Sequence, residues 1–238
     1  MRHILGITAV IFIFAFVFSG CGNGASSTSI DNSARPIVCL GDSITEGYGA
    51  SQQGAVDKSK SYPAFLQKKV SVPVVNAGIS GNTAADGLAR VNSDVLSKDP
   101  QMVIILLGGN DFLPPRMRPA KETKNDLQAI INRLRNGNRK IFLASFIGDE
   151  NWEESFRVYL GMIPGAMLNN LLTLFNEYKA LYADLARENP DIEYIPNIWI
   201  GINNTHMSDP IHPNEEGYSR IANTIFNAIE PHLGNDNL

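Results

Sequence analysis

The chain contains 238 residues, of which 44% are hydrophobic and 18% charged, a globular composition that can bury one sizeable core. The formal net charge is −4 and no basic run occurs, which argues against nucleic acid as a partner. No segment indicates an obligate protein partner.

Residues 1–20 have the features of an export signal. A short basic start is followed by an apolar run over residues 4–18, which ends at Ser19-Gly20. A membrane-spanning anchor is the alternative, but the run is short for one. The small residues before Cys21 resemble the lipobox of bacterial lipoproteins, although Phe18 stands where that pattern prefers leucine. The resemblance implies that residues 1–20 are removed and that Cys21 is acylated, which anchors the protein to a bilayer.

Residues 22–34 are rich in serine, asparagine and glycine and are typical of a flexible tether. We therefore divide the chain into a signal over 1–20, a lipidated cysteine and tether over 21–35, and one domain over 36–238. The expected location is the bacterial cell envelope, on either its periplasmic or its surface face. Cys39, the other cysteine, falls in an apolar run and is expected to be buried without a disulfide.

Apolar runs alternate with amphipathic segments through the rest of the chain. The runs predict strands at residues 36–40, 72–75, 102–107, 141–144 and 192–195. Helical spacing predicts a short helix from Pro63 and longer ones at 84–96, 121–135, 171–185 and 215–229. This alternation predicts right-handed crossovers, a parallel sheet and a three-layer α/β/α sandwich.

The sequence Gly-Asp-Ser-Ile-Thr-Glu-Gly at residues 41–47 directly follows the first predicted strand. Ser43 is therefore expected at the carboxyl end of the sheet, where open α/β folds bind their ligands. Gly-Asp-Ser by itself is also ordinary turn chemistry. Ser43 is a candidate nucleophile that needs partners elsewhere in the chain.

Those partners are expected near the other end of the chain. Asp209 precedes His212 by three residues in a loop stiffened by two prolines, so its carboxylate can fold back onto the imidazole. The pair would supply a base and a group that fixes its tautomer. His206, Asp209 and His212 also have metal-like spacing, but the prolines prevent a continuous helix and no further ligands complete a site. We predict neither a metal nor another cofactor.

Two further blocks follow predicted strands: Gly-Ile-Ser-Gly-Asn-Thr at 78–83 and Gly-Gly-Asn-Asp at 108–111. The four blocks, in this order, resemble the GDSL/SGNH hydrolase family of lipases and acylhydrolases, including lysophospholipase L1, thioesterase I and arylesterase-like members. The resemblance spans about residues 37–229 and implies a flavodoxin-like fold with five parallel strands. The Gly-x-Ser-x-Gly elbow of the larger α/β-hydrolases does not occur in the sequence.

The resemblance implies a role for each block. The catalytic residues would be Ser43, Asp209 and His212. The oxyanion hole would consist of the Ser43 N–H, the Gly81 N–H and the Asn110 side-chain amide. The chemistry agrees, because glycine allows close approach of the backbone and asparagine donates without adding charge. Asp42 and Asp111 are expected to be structural residues that hold their own turns.

Residues 146–170 look like an insertion that mixes acidic and apolar side chains. Such a segment can line a ligand groove or form a lid, and the equally favoured alternative is an extra helix packed on the core. If it borders the site, an acyl chain is a reasonable occupant. The substrate-binding candidates in this segment are Trp152, Phe156 and Ile163.

The sequence thus predicts a serine esterase or acylhydrolase that cleaves a small-molecule ester or thioester through an acyl-enzyme. Short-to-medium acyl groups are expected, lysophospholipids included. One alternative is a carbohydrate O-acetylesterase of the same family, in which Trp152 or Trp199 could stack on a sugar. Another is a non-catalytic ligand-binding surface lipoprotein, but the intact set of site residues argues against it.

Overall fold

The computed structural model describes residues 30–31, 33–148, 161–162 and 164–234. The predicted export signal, Cys21 and most of the tether lie outside the described residues. So do Trp152, Phe156 and Ile163. The account below concerns the described residues alone.

A parallel sheet of five strands forms the centre of the fold, in the order β2-β1-β3-β4-β5. The strands are β1 Ile37–Gly41, β2 Val74–Gly78, β3 Met102–Leu106, β4 Lys140–Ala144 and β5 Glu193–Ile195. In the register, Gly41 pairs with both Gly78 and Leu106, so β2, β1 and β3 end level with one another. The loops that follow them therefore emerge side by side.

Helices flank the sheet. They are α1 Ser43–Glu46, α2 Tyr62–Gln67, α3 Ala84–Asp94, α4 Gly109–Phe112, α5 Ala120–Leu134, α6 Gly165–Glu188 and α7 Glu215–Ile229. α2 packs against α7, whereas α5 packs against both α3 and α6. These two groups are the outer layers of the α/β/α sandwich that the alternating pattern predicts, and the predicted parallel sheet is confirmed.

β1 and β3 are buried along their whole length, as expected for parallel strands covered on both faces. Cys39 lies in β1 and is fully buried, as predicted, and burial raises the pKa of its thiol to about 12. Large aromatic side chains complete the core. The fully buried tyrosines are Tyr62, Tyr178, Tyr182 and Tyr218.

Candidate active site

Ser43 is the first residue of α1, immediately beyond the end of β1. The Oδ1 atom of Asp42 accepts the Ile44 N–H at 3.0 Å and so caps the short helix. The turn needs glycine at both ends, because a side chain on Gly41 would overlap Thr45, and Gly47 has a φ of 99°. This tight strand-to-helix turn brings Ser43 to the carboxyl edge of the sheet.

The structure brings the three predicted catalytic residues together. The Ser43 hydroxyl oxygen is 3.0 Å from Nε2 of His212, across 169 residues of sequence. Nδ1 of His212 lies 2.8 Å from Oδ2 and 3.0 Å from Oδ1 of Asp209. These are hydrogen-bonding distances, and the order Ser, His, Asp is that of a nucleophile, a base and the group that orients the base.

The Asp209 carboxylate also accepts the backbone N–H groups of Ile211 at 2.9 Å and His212 at 2.8 Å. Burial acts to raise the pKa of Asp209, but the hydrogen bonds from His212 and the backbone hold it below its ordinary value. An ionised carboxylate can only accept, so Nδ1 of His212 must donate to it. Nε2 of the neutral ring is then left to accept the Ser43 proton.

The face of His212 packs against Tyr48, with the two ring centroids 4.5 Å apart. Tyr48 is fixed in turn, because its carbonyl accepts the Tyr218 hydroxyl at 2.7 Å. The His212 carbonyl accepts the N–H of Ser208 at 2.8 Å. The imidazole is therefore held both by its own loop and by the segment that follows the serine turn.

Gly81 and Asn110 border the same cavity as Ser43 and His212. Gly81 has a φ of 82°, and within the described part of the chain its N–H makes no hydrogen bond. Asn110 lies in α4 and donates from Nδ2 to the Asn82 carbonyl at 3.0 Å. A primary amide carries two N–H donors, so the second remains for a ligand. Both residues can therefore present donors beside the Ser43 hydroxyl.

Asp42 and Asp111, two aspartates of the motif blocks, stabilise different parts of the structure. Asp42 caps its own turn, as predicted, and burial raises the pKa of its carboxyl to about 6. Asp111 was expected to hold its own turn, and that prediction is wrong. Its fully buried carboxylate accepts the Ala84 N–H at 2.8 Å and bonds to Arg118 and Thr123. It therefore ties α4 to the start of α3 and to α5.

A cavity of about 220 Å³ opens beside the Ser43 hydroxyl. Its walls are largely apolar, formed by Ile44, Leu106, Phe112, Leu113, Phe146, Trp199 and Ile211. Apart from Trp199, sequence reasoning did not single out these side chains. The available signal was their position, because several of them stand at or just beyond the ends of predicted strands.

His206 does not join Asp209 and His212. Its Nδ1 accepts the Asn203 N–H at 3.0 Å, and its Nε2 lies 3.2 Å from Glu216. Within the described ranges there is no group of three or more histidine, cysteine, aspartate or glutamate residues placed to hold a metal. Across the same ranges, no helix combines the length and the apolar character needed to cross a membrane.

Comparisons with known proteins show the family. A family model described as the GDSL-like lipase/acylhydrolase family matches residues 39–220. The chain belongs to this family. As a GDSL hydrolase it acts on ester bonds, and its sheet order and flanking helices are those of the SGNH fold.

Relatives of this GDSL hydrolase match nearly full length. Thioesterase 1/protease 1/lysophospholipase L1 of Escherichia coli K12 is 27% identical over 208 residues, covering 85% of this chain and 87% of the relative. Esterase TesA of Pseudomonas aeruginosa is 27% identical over 228 residues, covering 92% and 99%. A crystal structure of TesA superposes with a TM-score of 0.64 at 25% identity, covering 83% of this chain and 99% of TesA.

Proposed function

We propose that this protein hydrolyses carboxylic esters or thioesters with short-to-medium acyl chains through a Ser43-His212-Asp209 triad and an acyl-enzyme. The observation that carries the proposal is the 3.0 Å approach of the Ser43 hydroxyl to Nε2 of His212 in the wall of a largely apolar cavity. An isolated serine hydroxyl is a weak nucleophile, and a positioned base is what makes it reactive.

In this mechanism Nε2 of His212 takes the Ser43 proton while the serine oxygen attacks the carbonyl carbon. Asp209 stabilises the imidazolium that forms. The N–H groups of Ser43 and Gly81 and the Asn110 amide bind the negative oxygen of the tetrahedral intermediate. The intermediate collapses, the alcohol or thiol leaves with the proton from His212, and the acyl group stays on Ser43. Water then attacks with His212 as base, which releases the acid and restores the serine.

The apolar walls support an acyl chain as the occupant of the cavity. Each methylene removed from water contributes about 0.8 kcal/mol, or about fourfold in affinity. The specificity constant should therefore rise with acyl length until the cavity is full. The names of the Escherichia coli relative, thioesterase and lysophospholipase, support the same substrate class.

A series of nitrophenyl esters from acetate to laurate tests this assignment. We expect the highest specificity constant at an acyl group longer than acetate. A sharp preference for acetate would refute the acyl-chain assignment and favour a carbohydrate O-acetylesterase. An acetylxylan esterase of Geobacillus stearothermophilus is 34% identical over 89 residues, 33% of this chain. Acetylated xylan oligosaccharides are therefore the second substrate to assay, beside the nitrophenyl esters.

The walls fit a sugar less well than an acyl chain. Trp199 is 5% exposed, and its indole N–H already donates to the Phe146 carbonyl at 2.6 Å. It therefore offers little free face or donor to a carbohydrate.

Covalent labelling by a fluorophosphonate separates the enzyme from a binding protein with the same fold. We expect labelling that disappears in Ser43→Ala, and equal labelling of both proteins would refute the role of Ser43.

We also propose that Cys21 is acylated after removal of residues 1–20, so that residues 21–35 tether a single catalytic domain to the cell envelope. Lipoprotein YqeF of Bacillus subtilis, 29% identical over 114 residues, supports this assignment. Metabolic labelling with an alkyne fatty acid should mark the wild-type protein and not Cys21→Ser. Release of the wild-type protein by salt alone would contradict anchoring.

A further inference from the structure

Arg90, in α3, makes four hydrogen bonds with a side chain that is only 12% exposed. Nη2 donates to the Gly41 carbonyl at 2.7 Å and Nη1 to the Ala77 carbonyl at 2.8 Å. Nε donates to Oδ1 of Asn82 at 2.7 Å. Nη1 also pairs with Asp94 one turn along the same helix, at 2.9 Å. The guanidinium thus bonds to the ends of β1 and β2 and to the loop that follows β2.

These acceptors lie beside the groups proposed to bind the oxyanion. Gly41 comes two residues before Ser43, and Asn82 comes directly after Gly81. The Asn82 backbone carbonyl accepts the side-chain amide of Asn110 at 3.0 Å. One guanidinium is therefore connected, through at most one further hydrogen bond, to the segments that carry all three donors.

We propose that Arg90 is a positioning residue that fixes the relative places of the three oxyanion donors. This inference rests on the proposed function. Stabilisation of an oxyanion depends on donors that are already in place before charge develops, so an error in their spacing lowers the rate. A planar guanidinium presents several donors in a rigid fork, which a lysine ammonium does not reproduce.

The other side of the same loop is held independently. The N–H and the hydroxyl of Ser80 donate to Oε2 of Glu46, at 2.8 and 2.6 Å. Glu46 lies in α1 and also pairs with Lys58. When Arg90 is replaced, these bonds keep the loop attached, so the expected defect is a displaced Gly81 in a folded protein.

The test compares Arg90→Lys and Arg90→Gln with the matched variants Arg135→Lys and Arg135→Gln, in full-length protein purified in detergent. Arg135 also makes four side-chain hydrogen bonds, to Asn132, Asn189 and Asp191. Its partner Asp191 precedes β5 and thus lies near the amino edge of the sheet. The Arg135 variants therefore report what the loss of four arginine hydrogen bonds does when they lie far from Ser43.

For nitrophenyl butyrate, we expect the Arg90 variants to lose 10- to 100-fold in kcat with KM changed less than threefold. The affinity for a trifluoromethyl ketone, which forms a tetrahedral adduct with serine, should fall by a similar factor. The Arg135 variants should keep kcat within twofold. Methylguanidinium should restore part of the kcat of Arg90→Ala and should not change Arg135→Ala.

Unchanged kcat and unchanged ketone affinity in folded Arg90→Lys would overturn the inference. If no Arg90 variant folds, Asn82→Ala removes only one arm of the network, and wild-type kcat in that variant would also overturn it. Ser43→Ala distinguishes a failure of the proposed function from a failure of the proposed role of Arg90. Activity in Ser43→Ala would refute the proposed function itself. An inactive Ser43→Ala beside a fully active Arg90→Lys would refute only the role of Arg90.

Discussion

Replacing Asp42 with asparagine should stabilise the protein at neutral pH, although Asp42 stands next to the proposed nucleophile. The carboxyl is fully buried, and this burial raises its pKa from 3.8 to about 6. The Ile44 N–H and the nearby His212 act in the opposite direction, and Asp111 adds to the rise. Asparagine keeps the oxygen that accepts the Ile44 N–H and removes the charge.

The direction of the pH dependence follows from the difference in bound protons between the folded and the unfolded protein. Between about pH 4 and pH 6 the folded protein holds a proton on Asp42 that the unfolded chain has lost, so the free energy of unfolding falls as pH rises. Each pKa unit is worth about 1.4 kcal/mol, so the rise from 3.8 to about 6 corresponds to about 3 kcal/mol. The wild-type protein carries this penalty at pH 7 and is free of it below pH 4.

Urea unfolding of both proteins at pH 4, 5, 6 and 7 measures the effect. The gain in free energy of unfolding in Asp42→Asn should grow by about 2.4 kcal/mol from pH 4 to pH 7. Titrating groups that do not interact with Asp42 contribute equally to both proteins and cancel in the difference, which leaves Asp42 and its two electrostatic partners, His212 and Asp111. Thr45→Ala, a neighbouring buried change whose lost hydroxyl bonds to Tyr62, should follow the wild-type pH dependence. A difference that is constant across this range would refute the reasoning.

Three further predictions concern activity. Asp209→Asn keeps the shape of the side chain but removes the charge that would stabilise the His212 imidazolium. In steady-state assays kcat should therefore fall about 10³- to 10⁴-fold. A loss of kcat below tenfold would contradict the proposed role of Asp209. Asn110→Ala should lower kcat about 10²- to 10³-fold. Its free energy of unfolding, measured by thermal denaturation, should fall by only about 1 kcal/mol, because one hydrogen bond to Asn82 is lost. Leu113→Trp should fill part of the cavity, so activity on nitrophenyl octanoate should drop at least tenfold while activity on the acetate is kept. Equal losses on both esters would argue against an acyl pocket at Leu113.

The sheet was predictable because buried parallel strands are continuous apolar runs, and β1, β3, β4 and β5 lie within two residues of the predicted bounds. β2 lies at Val74–Gly78 and not at the predicted 72–75, because the strand continues through Asn76 into Gly78, beyond the end of the apolar run. α1 and α4 were missed, since four residues are too few to show helical periodicity. α6 begins at Gly165, six residues before the predicted start, so the end of the segment 146–170 is helical.

The candidate site was predictable only in part. The motif blocks identified Ser43, Gly81, Asn110, Asp209 and His212, because each stands in a short pattern with chemistry of its own. The cavity walls carry no such pattern. Phe146 follows β4 and Trp199 follows β5, and only the alignment of the strand ends brings them to the cavity beside Ser43. Arg90 was missed for a related reason, since two of its four acceptors are backbone carbonyls, which leave no trace in the sequence.

Because the strands end level with one another, separate loops of the chain form different parts of the pocket. Ser43, the proposed nucleophile, follows β1 and Gly81, the proposed donor, follows β2, whereas Phe146 and Trp199 follow β4 and β5. Loops after the later strands can therefore change during evolution without moving the serine turn. Relatives of this chain bear names as different as thioesterase, arylesterase and acetylxylan esterase.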